Sequence, residues 1–189
     1  MLKLLAENDI ALQTKHDHLK RVCIDGTLLQ SFEFKEKTGY SGKHKRVGVK
    51  ASILVDTTGI PLAVTLATGN VHDVSLAEST IERFHAPTFF GTTLLADRGY
   101  DSRKFRRLAY NHGMKPYVPK RSSTKERARD FHLYRYDKEE GKNRFIVERT
   151  NAWFKSFRRL RNRFDYTAAS FEAFLYLAIL VICVRRLVM

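Results

Sequence analysis

RVCIDGTLL, Arg21–Leu29, reads as the strand that decides the fold. Residues alternate along it, so Cys23, Asp25 and Thr27 share one face. Working outward, Val47–Val55 and Pro61–Ala67 are further strand-like runs. The turn Asp56–Ile60 (DTTGI) joins them into an antiparallel hairpin. Gly39–Lys45, rich in Gly and Lys, reads as a mobile loop between the first strand and that hairpin. His72–Phe84 has a helical pattern opened by Asp73 as its cap. Thr92–Ala96 is a short buried strand ending at Asp97. A helix follows from Ser102 to about Asn111, stopped by Gly113, and Lys115–Val118 is another short strand. After a charged linker, Pro119–Asp130, a long helix is predicted over about Lys142–Arg163 and an apolar one over about Phe171–Leu187. Residues up to about Lys20 form a short lead with weak helical character. Strands interleaved with helices in this order predict an α/β domain, a mixed sheet with helices on its faces.

The chain has 189 residues, enough for one domain with a full core; 43 % are apolar and 12 % aromatic, which excludes a disordered basic tail. Its net charge of +14 points to a polyanionic partner, either nucleic acid or an acidic membrane surface. The excess is localised. Ser102–Arg163 holds 20 Lys/Arg against 6 Asp/Glu, while the remainder is neutral. Most charge runs are solvated surface, but this concentration beside a neutral remainder favours a phosphate-binding face. Cys23 and Cys183 lack metal-type spacing and read as buried thiols of a reducing, cytoplasmic environment. No signal peptide is legible at the start. The longest apolar run, Ala173–Val184, has 12 residues, against the roughly 20 needed to span a bilayer. It is expected to be a buried helix, with no membrane partner.

Asp25 sits inside a strand, Asp97 ends one, and Glu148 lies in the long helix. Ligand sites of α/β sheets gather near strand ends, so the three carboxylates can converge there. In-line phosphodiester cleavage calls for such a trio. Two hard cations stabilise the attacking and leaving oxygens together, and hard cations take oxygen ligands. Either Asp alone reads equally well as a cap or turn residue. Around Glu148, at 100° per residue, Arg144 falls at about −40°, Asn151 at about −60°, Lys155 at about −20° and Arg159 at about +20°. Ile146, Trp153, Phe154, Phe157 and Leu160 fall on the far side and must bury. One carboxylate among cations fits a surface ion pair as well as a metal ligand beside DNA phosphates.

Three segments carry a family resemblance: CIDGT around Asp25, LLADRGYDS with Asp97, and Arg144-x3-Glu148-x6-Lys155 within RFIVERTNAWFKSFRRLRNRF. GNVHD, Gly69–Asp73, adds a fourth. The sequence resembles the DDE transposases of bacterial insertion sequences, in the branch with a Tyr, Arg, Glu, Lys signature around the third acid. The resemblance implies an RNase H-like fold with the third acid on the long helix. It implies Asp25, Asp97 and Glu148 as ligands of Mg²⁺, with Mn²⁺ as a substitute. The implied activity is cleavage of transposon ends, then attack of the freed 3′-hydroxyl on target DNA. Arg144 and Lys155, with Asn151 and Arg159 on the same helical face, would then contact DNA; Arg98 and Tyr100 would shape a turn or touch phosphate. DNA is the implied partner, with a homodimer in the synaptic complex and a nucleoid-associated location. Residues 21–189 would form the catalytic domain. Residues 1–20 are read as the remnant of a DNA-binding region, which a separately encoded N-terminal half would supply. The signature's Tyr position holds Gly141, and Tyr134 and Tyr136 are out of register.

Among competing residues, Asp56 reads as a turn residue and Asp101 as a helix cap beside Ser102. His16, His18 and His44 read as surface residues, and Trp153 and Phe157 as core. Two rival functions stay open: an RNase H-like nuclease that cuts without joining, and a silent or truncated DNA-binding fragment that needs or inhibits a full-length enzyme.

Overall fold

The computed structural model describes residues 19–84, 91–120 and 141–188. The expected N-terminal helix, most of the charged linker, His16, His18, Tyr134 and Tyr136 lie outside the described residues.

β1 (Arg21–Ser31) is the central strand. It runs antiparallel to β3 (Arg46–Val55), with Asp25 opposite Ile53. The far edge of β3 carries two antiparallel strands end to end, β2 (Gly39–Ser41) and β4 (Pro61–Thr68). On the other edge of β1, β5 (Thr93–Leu95) runs parallel to Arg21–Cys23, and β6 (Lys115–Tyr117) runs parallel to β5. A two-residue strand, β7 (Asn162–Arg163), rejoins β1 at Gln30 and Ser31. Between Cys23 and Gln30 no described strand pairs this edge of β1, which leaves a notch. An antiparallel β4-β3-β1 unit extended by parallel β5 and β6 is the RNase H-like mixed sheet.

The alternation of β1 fixes which helices cover which face. Val22 and Ile24 join Leu54 and Leu62 under α1 (Ala77–Glu82) and α2 (Arg103–Asn111), whose Ile81, Phe105 and Ala109 are buried there. Cys23 and Leu29 join Ile53 and Val55 under α3 (Phe145–Ser156), α4 (Arg158–Arg161) and α5 (Ala168–Val188). Each fully buried Leu, Ile, Val or Phe contributes about 1.5–3 kcal/mol. Cys23 and Cys183 are both buried, as expected.

Several expectations change in detail. The segment read as a mobile loop is a β-hairpin arm: Gly39, Tyr40 and Ser41 pair with Gly48, Val47 and Arg46. The helix expected over Lys142–Arg163 ends at Ser156, because Phe157 turns to an extended ψ of 116° before a single turn, α4. Apolar spacing runs on through Phe157 and Leu160, so periodicity conceals the break. The segment opened by Asp73 starts as a 3-10 turn, Asp73–Leu76, and no side chain caps it. α5 also exceeds its apolar core: over Ala168–Arg186 it is long and apolar enough to cross a membrane by length and composition alone. Phe171, Leu175, Ile179 and Ile182 nevertheless pack under the sheet, while Leu177 and Val184 stay exposed.

Asp56 is the turn residue expected, and its carboxylate organises the β3–β4 connection. Oδ1 accepts from the Thr58 amide (2.8 Å), the Thr58 hydroxyl (2.8 Å) and the Ile60 amide (2.9 Å). Asp56→Ala leaves two backbone donors of a half-buried turn without their buried acceptor and is expected to destabilise the fold by about 1–3 kcal/mol. Urea denaturation reads this; an unchanged midpoint would contradict it.

Candidate active site

The parallel register of β1 and β5 brings the two aspartates together. Cys23 pairs with Leu95, the last residue of β5, and each aspartate lies two residues beyond its member of that pair. Neighbouring strands are about 4.8 Å apart. Asp25 and Asp97 therefore open on the notch where β5 has ended and β1 continues. Asp97 starts a 3-10 turn, Arg98–Tyr100, and its Oδ1 accepts the Gly99 amide at 2.6 Å. Burial, with the Asp97 and Asp73 carboxylates adding to it, pushes the Asp25 carboxyl up to about 6; the Gly26 backbone hydrogen bond and Arg144 act against the rise.

α3 closes the notch from the opposite side. Its Ile146, Val147, Thr150 and Phe154 are buried, and Thr150 Oγ1 donates to the Gly59 carbonyl at 2.8 Å. That docking delivers Asn151 to Asp25, Nδ2 donating to Oδ2 at 3.0 Å. Asn151, expected to contact DNA, is 7 % exposed and supports Asp25 from within the protein. Its phase, about −60° from Glu148, lies at the rim of the polar face, and the sheet covers it. Glu148 stands one turn earlier on the same helix, exposed, its Oε1 accepting from Arg144 Nη2 at 2.6 Å. Arg144 also acts on Asp25 electrostatically, so its guanidinium links the helix acid to the strand acids.

Sequence reasoning missed Asp73. Its Oδ1 lies 2.9 Å from the amine of buried Lys50, and its carboxylate fills the space beside Gly26, where a Cβ would stand 2.0 Å from Oδ1. The glycine following Asp25 is thus the seat of another acid. An Asp at the start of a helical pattern reads as a cap, so only the Gly in VCIDG could have hinted at this packing. Tyr100 belongs to the same neighbourhood. It is fully buried, with Ser52 beside its hydroxyl. Burial raises its pKa well above 10, reinforced by Asp25, Asp73 and Asp97; Ser52 lies near enough to oppose the rise. Tyr100 closes the turn after Asp97 as a buried residue, not as part of the exposed surface.

The remaining predicted contacts lie on the surface. Arg98, Lys155 and Arg159 are exposed. Arg159 donates to Asp165 at 2.9 Å and stacks over Phe174 at 4.1 Å. Asp101, weighed as a cap, instead forms a buried ion pair with Arg106 at 2.7 Å; Ser102 caps α2 by accepting the Phe105 amide. His44 is exposed on the hairpin, as expected.

Adjacent carboxylates are hard oxygen donors with excess negative charge, a set that suits a divalent cation of the Mg²⁺ type. Among the described residues Asp25 and Asp97 form this pair. Among the described residues no group of three acids stands together in ligating positions, and Glu148 is paired with Arg144.

The family model for the transposase DDE domain matches residues 17–183. A candidate transposase for insertion sequence element IS402 from Burkholderia cepacia is 37 % identical over 146 residues, which cover 73 % of this chain and 64 % of the relative. Two solved structures are more distantly similar. A piggyBac transposase synaptic complex with hairpin DNA is 16 % identical, with a TM-score of 0.44, over 62 % of this chain and 26 % of its own. A Mos1 transposase paired-end complex with left transposon end is 10 % identical, with a TM-score of 0.37, over 80 % and 58 %.

Proposed function

The chain belongs to the transposase DDE-domain family, and on that premise we propose that it is the catalytic part of an insertion-sequence transposase. It spans 64 % of the length of its curated relative. The reaction assigned to it is Mg²⁺-dependent cleavage at transposon ends, followed by joining of the freed 3′-hydroxyl to target DNA. Divalent metal dependence is general to the family; the choice of Mg²⁺ belongs to this proposal.

The observation that carries the reading is the shared register of Asp25 and Asp97, which sets two carboxylates side by side at the unpaired stretch of β1. Asp25, Asp97 and Glu148 would hold the cations. Bound there, the metal supplies an activated oxygen nucleophile and neutralises charge at the phosphate. Asn151 fixes one Asp25 oxygen. Arg144 holds Glu148 at the rim, and Lys155, exposed two turns further along α3, offers a cation to the DNA backbone. Arg98 and Arg159 flank this surface in supporting DNA-contact roles. DNA ends and target are the proposed partners, and two copies would work together in synapsis.

The test incubates the chain with duplexes carrying the element's terminal repeats, a target plasmid and Mg²⁺, scoring cleavage and joining separately. Cleavage at the repeat with joining to the plasmid is the expected result. Cleavage without joining would favour a plain nuclease, and binding without cleavage a silent fragment.

A further inference from the structure

The β2–β3 hairpin is not used by the chemistry above, yet its construction is specific. Its tip, Gly42-Lys43-His44-Lys45-Arg46, is exposed throughout and contains no acid. Lys43 and Lys45 have no acidic partner among the described residues, whereas Arg46 is tied to Gln30 at 2.7 Å. A basic turn alone reads as solvated surface. What distinguishes this one is how its base is fixed.

Three glycines close the base of the hairpin against the segment that carries Asp73. Gly69 donates its amide to the Gly48 carbonyl at 3.1 Å. A Cβ on Gly69 would stand 2.4 Å from the Gly39 carbonyl oxygen and 2.8 Å from that of Gly48. One on Gly39 would meet Asn70 Oδ1 at 2.5 Å, and one on Gly48 the Leu29 carbonyl oxygen at 2.4 Å. These contacts are mostly to backbone, which cannot move aside, so β2, β3 and the turn after β4 are locked together. Four residues beyond Gly69, Asp73 packs on Gly26, the neighbour of Asp25. The hairpin is therefore held rigidly to the catalytic strand. Its tip is also joined to the site along β3, whose Lys50 holds Asp73 at 2.9 Å, and the charges that act on His44 at the tip include Lys50, Lys155 and Asp73.

We propose that this hairpin tip is a fixed prong that binds the DNA backbone beside the scissile position, Lys43 and Lys45 each neutralising a phosphate together with Lys155 across the notch. The assignment rests on the transposase reading for the identity of the DNA. The phosphate contacts themselves follow from charge and placement.

The experiment measures duplex-DNA binding to the full chain without divalent metal, as a function of salt. Each phosphate contact contributes about 0.9 to the slope of log affinity against log salt. Lys43→Ala/Lys45→Ala is expected to lower that slope by about two and to weaken binding roughly tenfold or more per lysine near 0.1 M salt. The loss should be alike for duplexes with and without the terminal repeat. Gly42 provides the reverse arm: its Cβ would meet nothing within 4 Å, so Gly42→Lys adds a cation without strain and should steepen the slope. An unchanged slope in both variants overturns the prong. Because binding is read without metal, this outcome is separate from the fate of the transposase reading. Cleavage with an unchanged slope removes the prong alone, and an altered slope without cleavage removes the enzyme alone.

Discussion

Asp25→Asn is expected to abolish Mg²⁺-dependent cleavage, by on the order of 10³-fold or more, while leaving DNA affinity equal or higher. The substitution is nearly isosteric. The new side-chain oxygen can still accept from Asn151 Nδ2, so the contact between β1 and α3 survives. Its neutral amide also escapes the desolvation that raises the Asp25 carboxyl to about 6, so the fold should not weaken. What disappears is one negative ligand at the notch, and with it one charge repelling phosphate. Asp97→Asn and Glu148→Gln are expected to act alike. Single-turnover cleavage beside a binding isotherm reads both effects, and any variant that cuts at the normal rate takes its residue out of the site.

The second large effect is on stability. Phe154 is fully buried and belongs to the cluster that fastens α3 to the sheet. Phe154→Ala removes a whole aromatic ring from that cluster, and its expected cost is about 3–5 kcal/mol. In a chain of this size each kcal/mol lowers Tm by roughly 2–4 °C. The helix also carries Glu148 and Asn151, so loosening it should impair activity at temperatures where the variant is still folded. Trp153, only partly buried, should cost less when truncated, though Arg149 lies over its ring at 5.0 Å. A melting temperature within a degree or two of the parent would contradict the packing described for α3.

The strands were legible because their patterns are local. RVCIDGTLL and the two arms around DTTGI alternate or run apolar, and a two-sided sheet has no other use for such segments. Asp25 and Asp97 stood out for the same reason, as carboxylates at strand positions. What escaped the sequence depended on contacts distant in the chain. Asp73 resembles a cap until Gly26, 47 residues earlier, is seen to make room for it. Asn151 shares the polar arc of Glu148, and only the docking of α3 on β1 turns it inward. The GKHK turn looked mobile, since glycines usually loosen a chain; here Gly39, Gly48 and Gly69 allow backbones to meet and stiffen it. The break at Phe157 is hidden because an apolar residue suits both the helix and the bend that ends it.

The account stands on Asp25, Asp97 and Glu148 sharing divalent cations at the edge of β1. The most direct measurement is a crystal structure of the chain with a transposon-end duplex and Mn²⁺, in which anomalous scattering locates the metal. The predicted result is density between Asp25 and Asp97, with Glu148 swung from Arg144 into the notch and the scissile phosphate opposite. Metal bound elsewhere, or a Glu148 still paired with Arg144 while the DNA lies away from the notch, would contradict it.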